Sequence, residues 1–160
     1  MPDRNLITWN ASIGGYAHQG RADMALELFE EMTSGRSVVL PNYVTFVCVL
    51  TACSRGGMVN KGMDIFASMR WKYGIEPGAE HYACVVDMLG RAGFVERAYE
   101  YITSMPIHPT ISVWGALLGA CKVYKKPELG TIAAENLFEL DPMDSGNHVI
   151  LSNMFAAAGR

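Results

Sequence analysis

Charged residues are scarce in this chain: only 18% of its 160 residues are Asp, Glu, Lys or Arg, and the formal net charge is −3. The chain therefore lacks the surplus of Lys and Arg with which general nucleic-acid binders grip phosphate backbones. That shortage argues against general binding to nucleic-acid backbones, but it does not exclude a local surface that reads bases. Because half of the residues are hydrophobic, the composition also argues against disorder.

A Cys-x-x-Cys pair is absent, and the cysteine spacing argues against a metal site. Cys48, Cys53, Cys84 and Cys121 form no Cys-x-x-Cys pair, so we predict four reduced thiols buried on apolar helix faces. No His is followed two residues later by Glu, as a zinc deaminase requires. Glycine-rich phosphate loops, nucleophile elbows and apolar runs of roughly 18 residues are also missing. These absences predict no enzyme activity, no metal, no cofactor and no membrane contact.

What the chain does contain is a cycle of about 35 residues, a period typical of repeat arrays. An aromatic residue recurs at intervals of 37, 36 and 32 residues, as Trp9, Phe46, Tyr82 and Trp114. A glycine falls 11 residues after each of the first three aromatic residues, at Gly20, Gly57 and Gly93. A small residue falls 16 positions after each aromatic residue, at Ala25, Gly62, Ala98 and Gly130.

Apolar residues at a spacing near 3.6 predict two amphipathic helices in each cycle. The predicted helices span about 7–17, 21–32, 44–54, 59–71, 80–92, 94–104, 112–124, 128–140 and 146–158. The glycine in each inter-helix turn predicts a positive φ, although Lys125 stands there in the fourth cycle. The predicted fold is therefore all-α, a right-handed α-solenoid of four antiparallel helix pairs plus one unpaired C-terminal helix. Val38, Val39 and Leu40 are predicted to form a loop.

Four stretches together resemble the pentatricopeptide repeats of plants. They are residues 7–21, 83–93 (Ala-Cys-Val-Val-Asp-Met-Leu-Gly-Arg-Ala-Gly), 114–121 (Trp-Gly-Ala-Leu-Leu-Gly-Ala-Cys) and 151–160. Their order resembles the end of an array of the P-L-S subclass. The predicted parts are the tail of an earlier repeat (1–5), a P-type repeat (6–42), an L-type repeat (43–78), an S-type repeat (79–110), a first E motif (111–144) and a truncated second E motif (145–160). We therefore expect the chain to be cut from a longer array at both ends.

The resemblance implies a function in plant organelles. Proteins of this subclass act in mitochondria or chloroplasts, where they bind single-stranded transcripts just upstream of cytidines that become uridines. The repeats select the site, and a deaminase domain, attached or recruited, does the chemistry. The E motifs are thought to couple RNA reading to editing-complex proteins or to that deaminase.

The resemblance also assigns two side chains in each repeat to one RNA base, one early in the first helix and one at the last position. In the P-type repeat these are Asn10 and Asn42, a pair that implies a pyrimidine. Ile7 and Val44 match the positions that sandwich the base. The alternative is purely structural: Asn10 would be a helix-start residue and Asn42 an ordinary N-cap.

The other reader positions are weaker. Val47 and Gly78 in the L-type repeat offer no polar side chain, and in the S-type repeat only Thr110, not Ala83, can hydrogen-bond. Asn5 would complete a pair whose other half lies outside the chain. We expect these residues to be weak contacts or spacers.

Two alternatives concern protein partners. Helix-pair solenoids also include tetratricopeptide arrays that bind peptides, so the chain could be a helical scaffold for proteins, either throughout or only in its second half. Lys122, Lys125 and Lys126 form a local cluster that fits either a solvated helix end or a contact with phosphate or an acidic partner. A truncated array also exposes an apolar end face, which predicts self-association through the last helix, 146–158.

Overall fold

The chain folds into α-helices. A computed structural model describes residues 5–36 and 38–142, and within them it contains eight α-helices and no strand. The helices are α1 (Leu6–His18), α2 (Ala22–Met32), α3 (Tyr43–Gly56), α4 (Val59–Trp71), α5 (Ala79–Arg91), α6 (Val95–Ser104), α7 (Ile111–Tyr124) and α8 (Pro127–Leu140). The all-α prediction is confirmed, and each of these helices begins and ends within two residues of its predicted bounds. The predicted helix 146–158 lies outside the described residues.

The helices divide into two compact units, residues 1–77 and 78–160. In unit 1, α1 and α3 pack side by side, α2 contacts both of them, and α4 packs on α3. In unit 2, α5 and α7 pack in the same way, α6 contacts both, and α8 packs on α7. Each unit therefore places the first helices of two successive cycles next to each other.

Aromatic residues hold the core of unit 1. Phe46 is fully buried, and its ring makes edge-to-face contacts with Phe29 and Tyr73 at centroid distances of 5.6 and 5.4 Å. Edge-to-face pairs of this kind add stability beyond the area that they bury. The recurring aromatic residue of each cycle thus serves as a core residue, since Trp9, Tyr82 and Trp114 are buried as well.

Small residues allow the first helices of unit 2 to approach closely. A Cβ added to Gly90 would lie 2.7 Å from the Cβ of Ala120, a distance at which the helices would have to move apart. The recurring small residues of the second helices, Ala25, Gly62, Ala98 and Gly130, are likewise buried.

The turns between helices have the predicted backbone. Gly20, Gly57 and Gly93 have φ values of 74°, 69° and 91°, a region that glycine enters without the penalty that a Cβ imposes. Lys125 adopts the same left-handed conformation, with φ 56° and ψ 59°. The fourth cycle therefore keeps the turn geometry although it lacks the glycine.

Two other predictions have mixed outcomes. The segment 38–40 is a loop, as predicted. None of the four cysteines, all of which the structure describes, is in a disulfide. Only Cys53 and Cys121 are buried, so the prediction of four buried thiols is wrong for Cys48 and Cys84, which are half-buried. Among the described residues, no helix is long and apolar enough to cross a membrane. Val149, Leu151, Met154 and Phe155, the residues of the predicted apolar end face, lie outside the described part of the chain.

The turn geometry generates the first prediction. We expect Lys125→Gly to raise the free energy of unfolding by about 0.5–1 kcal/mol, because glycine relieves the left-handed backbone strain. Gly20→Ala should lower it by about 1 kcal/mol, since a Cβ there meets open space and only the backbone is strained. Urea unfolding followed by circular dichroism measures both changes. Equal signs for the two variants would contradict this account.

Candidate nucleic-acid interface

The candidate site lies where α1 approaches the start of α3 in unit 1. A Cβ added to Gly14 of α1 would lie 3.1 Å from the Cys48 sulfur of α3. That sulfur in turn lies 3.6 Å from the backbone oxygen of Asn10. This close packing raises the pKa of the Cys48 thiol through burial, and it brings the Asn10 side chain to the N-terminus of α3.

Asn42 is the N-cap of α3. The Asn42 Oδ1 accepts a hydrogen bond from the backbone N–H of Thr45 at 3.1 Å, and the Asn42 N–H donates to the Thr45 hydroxyl at 3.0 Å. This reciprocal pair is a capping box, which satisfies two backbone N–H groups that the helix itself cannot pair. The alternative that Asn42 is the N-cap of a helix is therefore confirmed.

Asn10 adds a third member to this cap. Its Nδ2 donates to the Asn42 Oδ1 at 3.1 Å, and its Oδ1 accepts from the Thr45 hydroxyl at 2.5 Å. Asn10 lies in the second turn of α1 and not at its start, so the structural alternative for Asn10 is wrong. The fold thus joins the two predicted reader residues across 32 positions of sequence.

Thr45 is absent from the residues predicted above. Its side chain is fully buried, and its hydroxyl contacts both asparagines. The spacing Asn-x-x-Thr at residues 42–45 is the signal that could have found it, because it matches the spacing of a capping box.

Two large apolar side chains stand exposed beside the asparagines. Ile7 is 78% exposed and Val44 is 48% exposed. Ile7 lies three residues before Asn10 and so shares its face of α1. Val44 follows Asn42 in the first turn of α3. Each of the two asparagines therefore has an exposed apolar neighbour that a flat base could pack against.

The weaker candidates are placed as follows. Asn5 is the N-cap of α1, and its Oδ1 accepts from the Thr8 N–H at 2.9 Å. Val47 and Ala83 are half-buried residues of α3 and α5. Gly78 precedes α5, and Thr110 is the exposed N-cap of α7, with no capping hydrogen bond from its side chain.

Gly78 has a partner that the sequence did not reveal. Its N–H donates to Nδ1 of His81 at 3.0 Å, and His81 is fully buried. His81 therefore fills the capping role in α5 that Thr45 fills in α3. Among Val47, Gly78 and Ala83 no side chain offers a polar group, so the structure gives these positions no reading edge comparable to that of Asn10 and Asn42.

Four of the eleven basic side chains that the structure describes are paired with acids. Four ion pairs of 2.7–3.1 Å join Lys61 to Glu30, Arg70 to Glu76, Arg91 to Asp87 and Lys126 to Glu96. The hydrogen bond and charge of Glu30 raise the pKa of Lys61, and the bond from Lys126 lowers the pKa of Glu96. Paired cations attract phosphate less than unpaired ones, which agrees with the weak electrostatic groove expected from the composition.

Unit 2 carries an open groove of about 470 Å³ between α5 and α7. Its lining includes Gly115 and Gly119, the Asp87–Arg91 ion pair and the exposed Val123. Among the described residues, no three His, Cys, Asp or Glu side chains group in a way that could hold a metal ion. The residues that line this groove do not indicate a particular ligand.

Comparison with protein families identifies two kinds of repeat in this chain. The family model described as a PPR repeat, the pentatricopeptide repeat, matches residues 7–36 and 44–73. The model described as an E motif matches residues 124–160. The two PPR matches cover nearly all of α1 to α4; they include Asn10 and Thr45, while Asn42 lies between them.

Curated relatives carry the same family name. A pentatricopeptide repeat-containing protein of Arabidopsis thaliana is 69% identical over all 160 residues. A chloroplastic one from that plant is 47% identical over 99% of this chain, and a mitochondrial one is 46% identical over all of this chain. The chain spans only 19–24% of the length of these relatives.

Solved structures share the fold. The maize protein PPR10, crystallised with an 18-nucleotide psaJ RNA element, superposes with a TM-score of 0.75 at 23% identity, over 98% of this chain and 22% of that one. The PPR domain of Arabidopsis thaliana protein-only RNase P 1, crystallised with tRNA, gives 0.72 at 17% identity, over 95% of this chain and 81% of that one. Both are helical solenoids, in agreement with the fold class predicted for this chain.

The capping role of Asn42 generates the second prediction. Asn42→Ala should lower the free energy of unfolding by about 1 kcal/mol, since it removes the side-chain acceptor at the start of α3. The control is Asn60→Ala, which changes an exposed residue of α4 and should shift stability by less than about 0.5 kcal/mol. Urea unfolding of the two variants measures the difference, and equal stabilities would rule out the cap.

Proposed function

Because this chain belongs to the pentatricopeptide repeat family, we propose that it binds single-stranded RNA and reads one pyrimidine with Asn10 and Asn42. The observation that carries this proposal is the hydrogen bond between the two side chains, at 3.1 Å, beside two exposed apolar residues. Two side-chain amides held together in this way can hydrogen-bond to the edge of a single base. Ile7 and Val44 can contact its faces.

The chemistry of the pair suits a base edge more than a phosphate. An Asn amide offers both donors and acceptors, as the Watson–Crick edge of a base does. Lys61, a basic residue on α4 of the same unit, is already paired with Glu30. Binding through Asn10 and Asn42 is therefore expected to depend weakly on salt, because counterion release is small where phosphates are not neutralised.

The setting of this activity follows from the family and from the E motif at residues 124–160. We propose that the chain is the site-recognition part of a mitochondrial or chloroplast factor for C-to-U editing of RNA. In this proposal the E motif couples RNA reading to editing-complex proteins or to a deaminase domain. The organellar names of two relatives support the location.

A second candidate function is protein binding by unit 2. The observation that favours it is chemical: the reader position at Ala83 has no polar side chain, while Val123 and Tyr124 are exposed on α7. Such a surface suits a protein better than it suits a base edge. This function is compatible with RNA reading by unit 1.

The RNA proposal generates the third prediction, for which fluorescence anisotropy with labelled U8, C8 and A8 RNAs is the measurement. The chain should prefer the pyrimidine RNAs, and the preference should persist at physiological salt. In Asn42→Asp one carboxylate oxygen still caps α3, and the other turns an acceptor toward the base. Because the uracil N3–H can donate to that acceptor, the ratio of U8 to C8 affinity should rise about fivefold.

The matched control for that variant is Asn60→Asp, which adds the same charge to an exposed residue of α4. It should leave the ratio of U8 to C8 affinity unchanged. If Asn42→Asp and Asn60→Asp behave alike, or if the chain does not distinguish C8 and U8 from A8, Asn10 and Asn42 are not base readers.

The E motif generates the fourth prediction. The whole chain, immobilised and exposed to plant organelle extract, should retain cytidine deaminase activity, measured as conversion of C to U in an added RNA. Unit 1 alone, residues 1–77, serves as the control and should not retain it, because it lacks the E motif. Equal retention by both baits would contradict docking through the E motif.

A further inference from the structure

The hydroxyl of Thr45 occupies the centre of the candidate reading site. Thr45 belongs to α3, and thus to the repeat that follows the one containing Asn10 and Asn42. Its side chain is fully buried, and its Oγ1 lies 3.0 Å from Asn42 N, 2.5 Å from Asn10 Oδ1 and 3.0 Å from Asn42 Oδ1. A buried hydroxyl with these neighbours joins both proposed readers to the backbone of α3.

The polarity of each contact can be deduced from one backbone group. The Thr45 N–H can only donate, so the Asn42 atom that faces it at 3.1 Å is the oxygen, Oδ1. The Asn42 Nδ2 then points away from the cap, and no hydrogen bond from it is found within residues 5–36 and 38–142. At Asn42 an incoming base therefore meets a donor.

The orientation of Asn10 follows from that of Asn42. Because the Asn42 Oδ1 only accepts, the Asn10 atom that faces it at 3.1 Å is Nδ2. The Asn10 Oδ1 then faces the Thr45 hydroxyl, which must donate to it, while the hydroxyl oxygen accepts from the Asn42 N–H. The Asn10 amide is thus held at two atoms, and its second Nδ2 hydrogen remains for a base.

We propose that Thr45 is a positioning residue of the reading site: its hydroxyl holds the Asn10 amide against Asn42 and thereby fixes which hydrogen-bonding groups the site presents to a base. This inference rests on the proposed RNA-reading function. It makes the specificity of one repeat depend on a buried side chain of the next repeat. Thr45 touches no base in this arrangement and acts through Asn10.

Comparison of the four first helices shows what is particular to this site. The same third helical position is occupied by Thr8 in α1, Thr45 in α3, His81 in α5 and Val113 in α7. Thr8 repeats the cap, since its N–H and its hydroxyl both donate to Asn5 Oδ1. Only at Thr45, among these described positions, does the hydroxyl also bond to an asparagine of the neighbouring first helix.

The test is Thr45→Val, which replaces the hydroxyl with a methyl group of similar size. We expect the preference of the chain for U8 over A8, measured by fluorescence anisotropy, to fall by about fivefold, the factor expected for one lost hydrogen bond. Thr45→Ser keeps the hydroxyl and should retain the preference. Thr131→Val removes another buried hydroxyl, bonded to Pro127 O in α8, and should leave the preference unchanged.

A double-mutant cycle separates positioning from a general loss of structure. If Thr45 acts through Asn10, adding Thr45→Val to Asn10→Ala should not reduce the preference further, because the amide that it holds is already gone. A role confined to stabilising α3 predicts additive losses instead. Additive losses, or a folded Thr45→Val chain with the wild-type preference, would overturn the inference while leaving the proposed function intact.

The wild-type chain provides a test that does not depend on any variant folding. Proton exchange of the Asn10 side-chain amide, followed by NMR without RNA, should show one protected Nδ2 hydrogen and one that exchanges quickly. Two equally fast hydrogens would overturn the positioning role. A wild-type chain that fails to distinguish U8 from A8 would instead overturn the proposed function, and this inference with it.

Discussion

The first N–H groups of a helix have no partner within the helix, and at α3 this constraint determines the form of the candidate site. Asn42 satisfies it with its Oδ1, and in doing so it loses the freedom to rotate its amide. What remains outside the cap is a donor. The helix cap and the base reader are therefore not competing explanations of Asn42, because the cap uses one end of the amide and leaves the other end available.

The close packing of α1 on α3 is the second requirement. Gly14 and Cys48 let the two helices approach until the Asn10 side chain reaches the α3 cap. The repeat array stacks first helices side by side. The last residue of one repeat therefore lies where its first helix meets the first helix of the next repeat. Polar side chains from two repeats can then share a single network, as Asn10 and Thr45 do.

The sequence predicted the helices well, because the periodic marks recur and each glycine turn fixes an end. It also predicted the left-handed turns at Gly20, Gly57 and Gly93, and it located the one exception at Lys125. The pairing of Asn10 with Asn42 was predictable only through the family resemblance, since nothing local links residues 32 positions apart. Thr45 and His81 were missed because a polar residue in the first helical turn ordinarily indicates only a cap. The half-burial of Cys48 depends on packing between helices, which composition does not encode.

The most direct test of the central claim is a structure of the chain bound to an oligouridine RNA. The account predicts one base between Ile7 and Val44, with the Asn42 Nδ2 about 3 Å from a base oxygen and the Asn42 Oδ1 still accepting from the Thr45 N–H. RNA bound to unit 2 alone would contradict it. So would an Asn42 amide that had turned its oxygen to the base and left the α3 cap open.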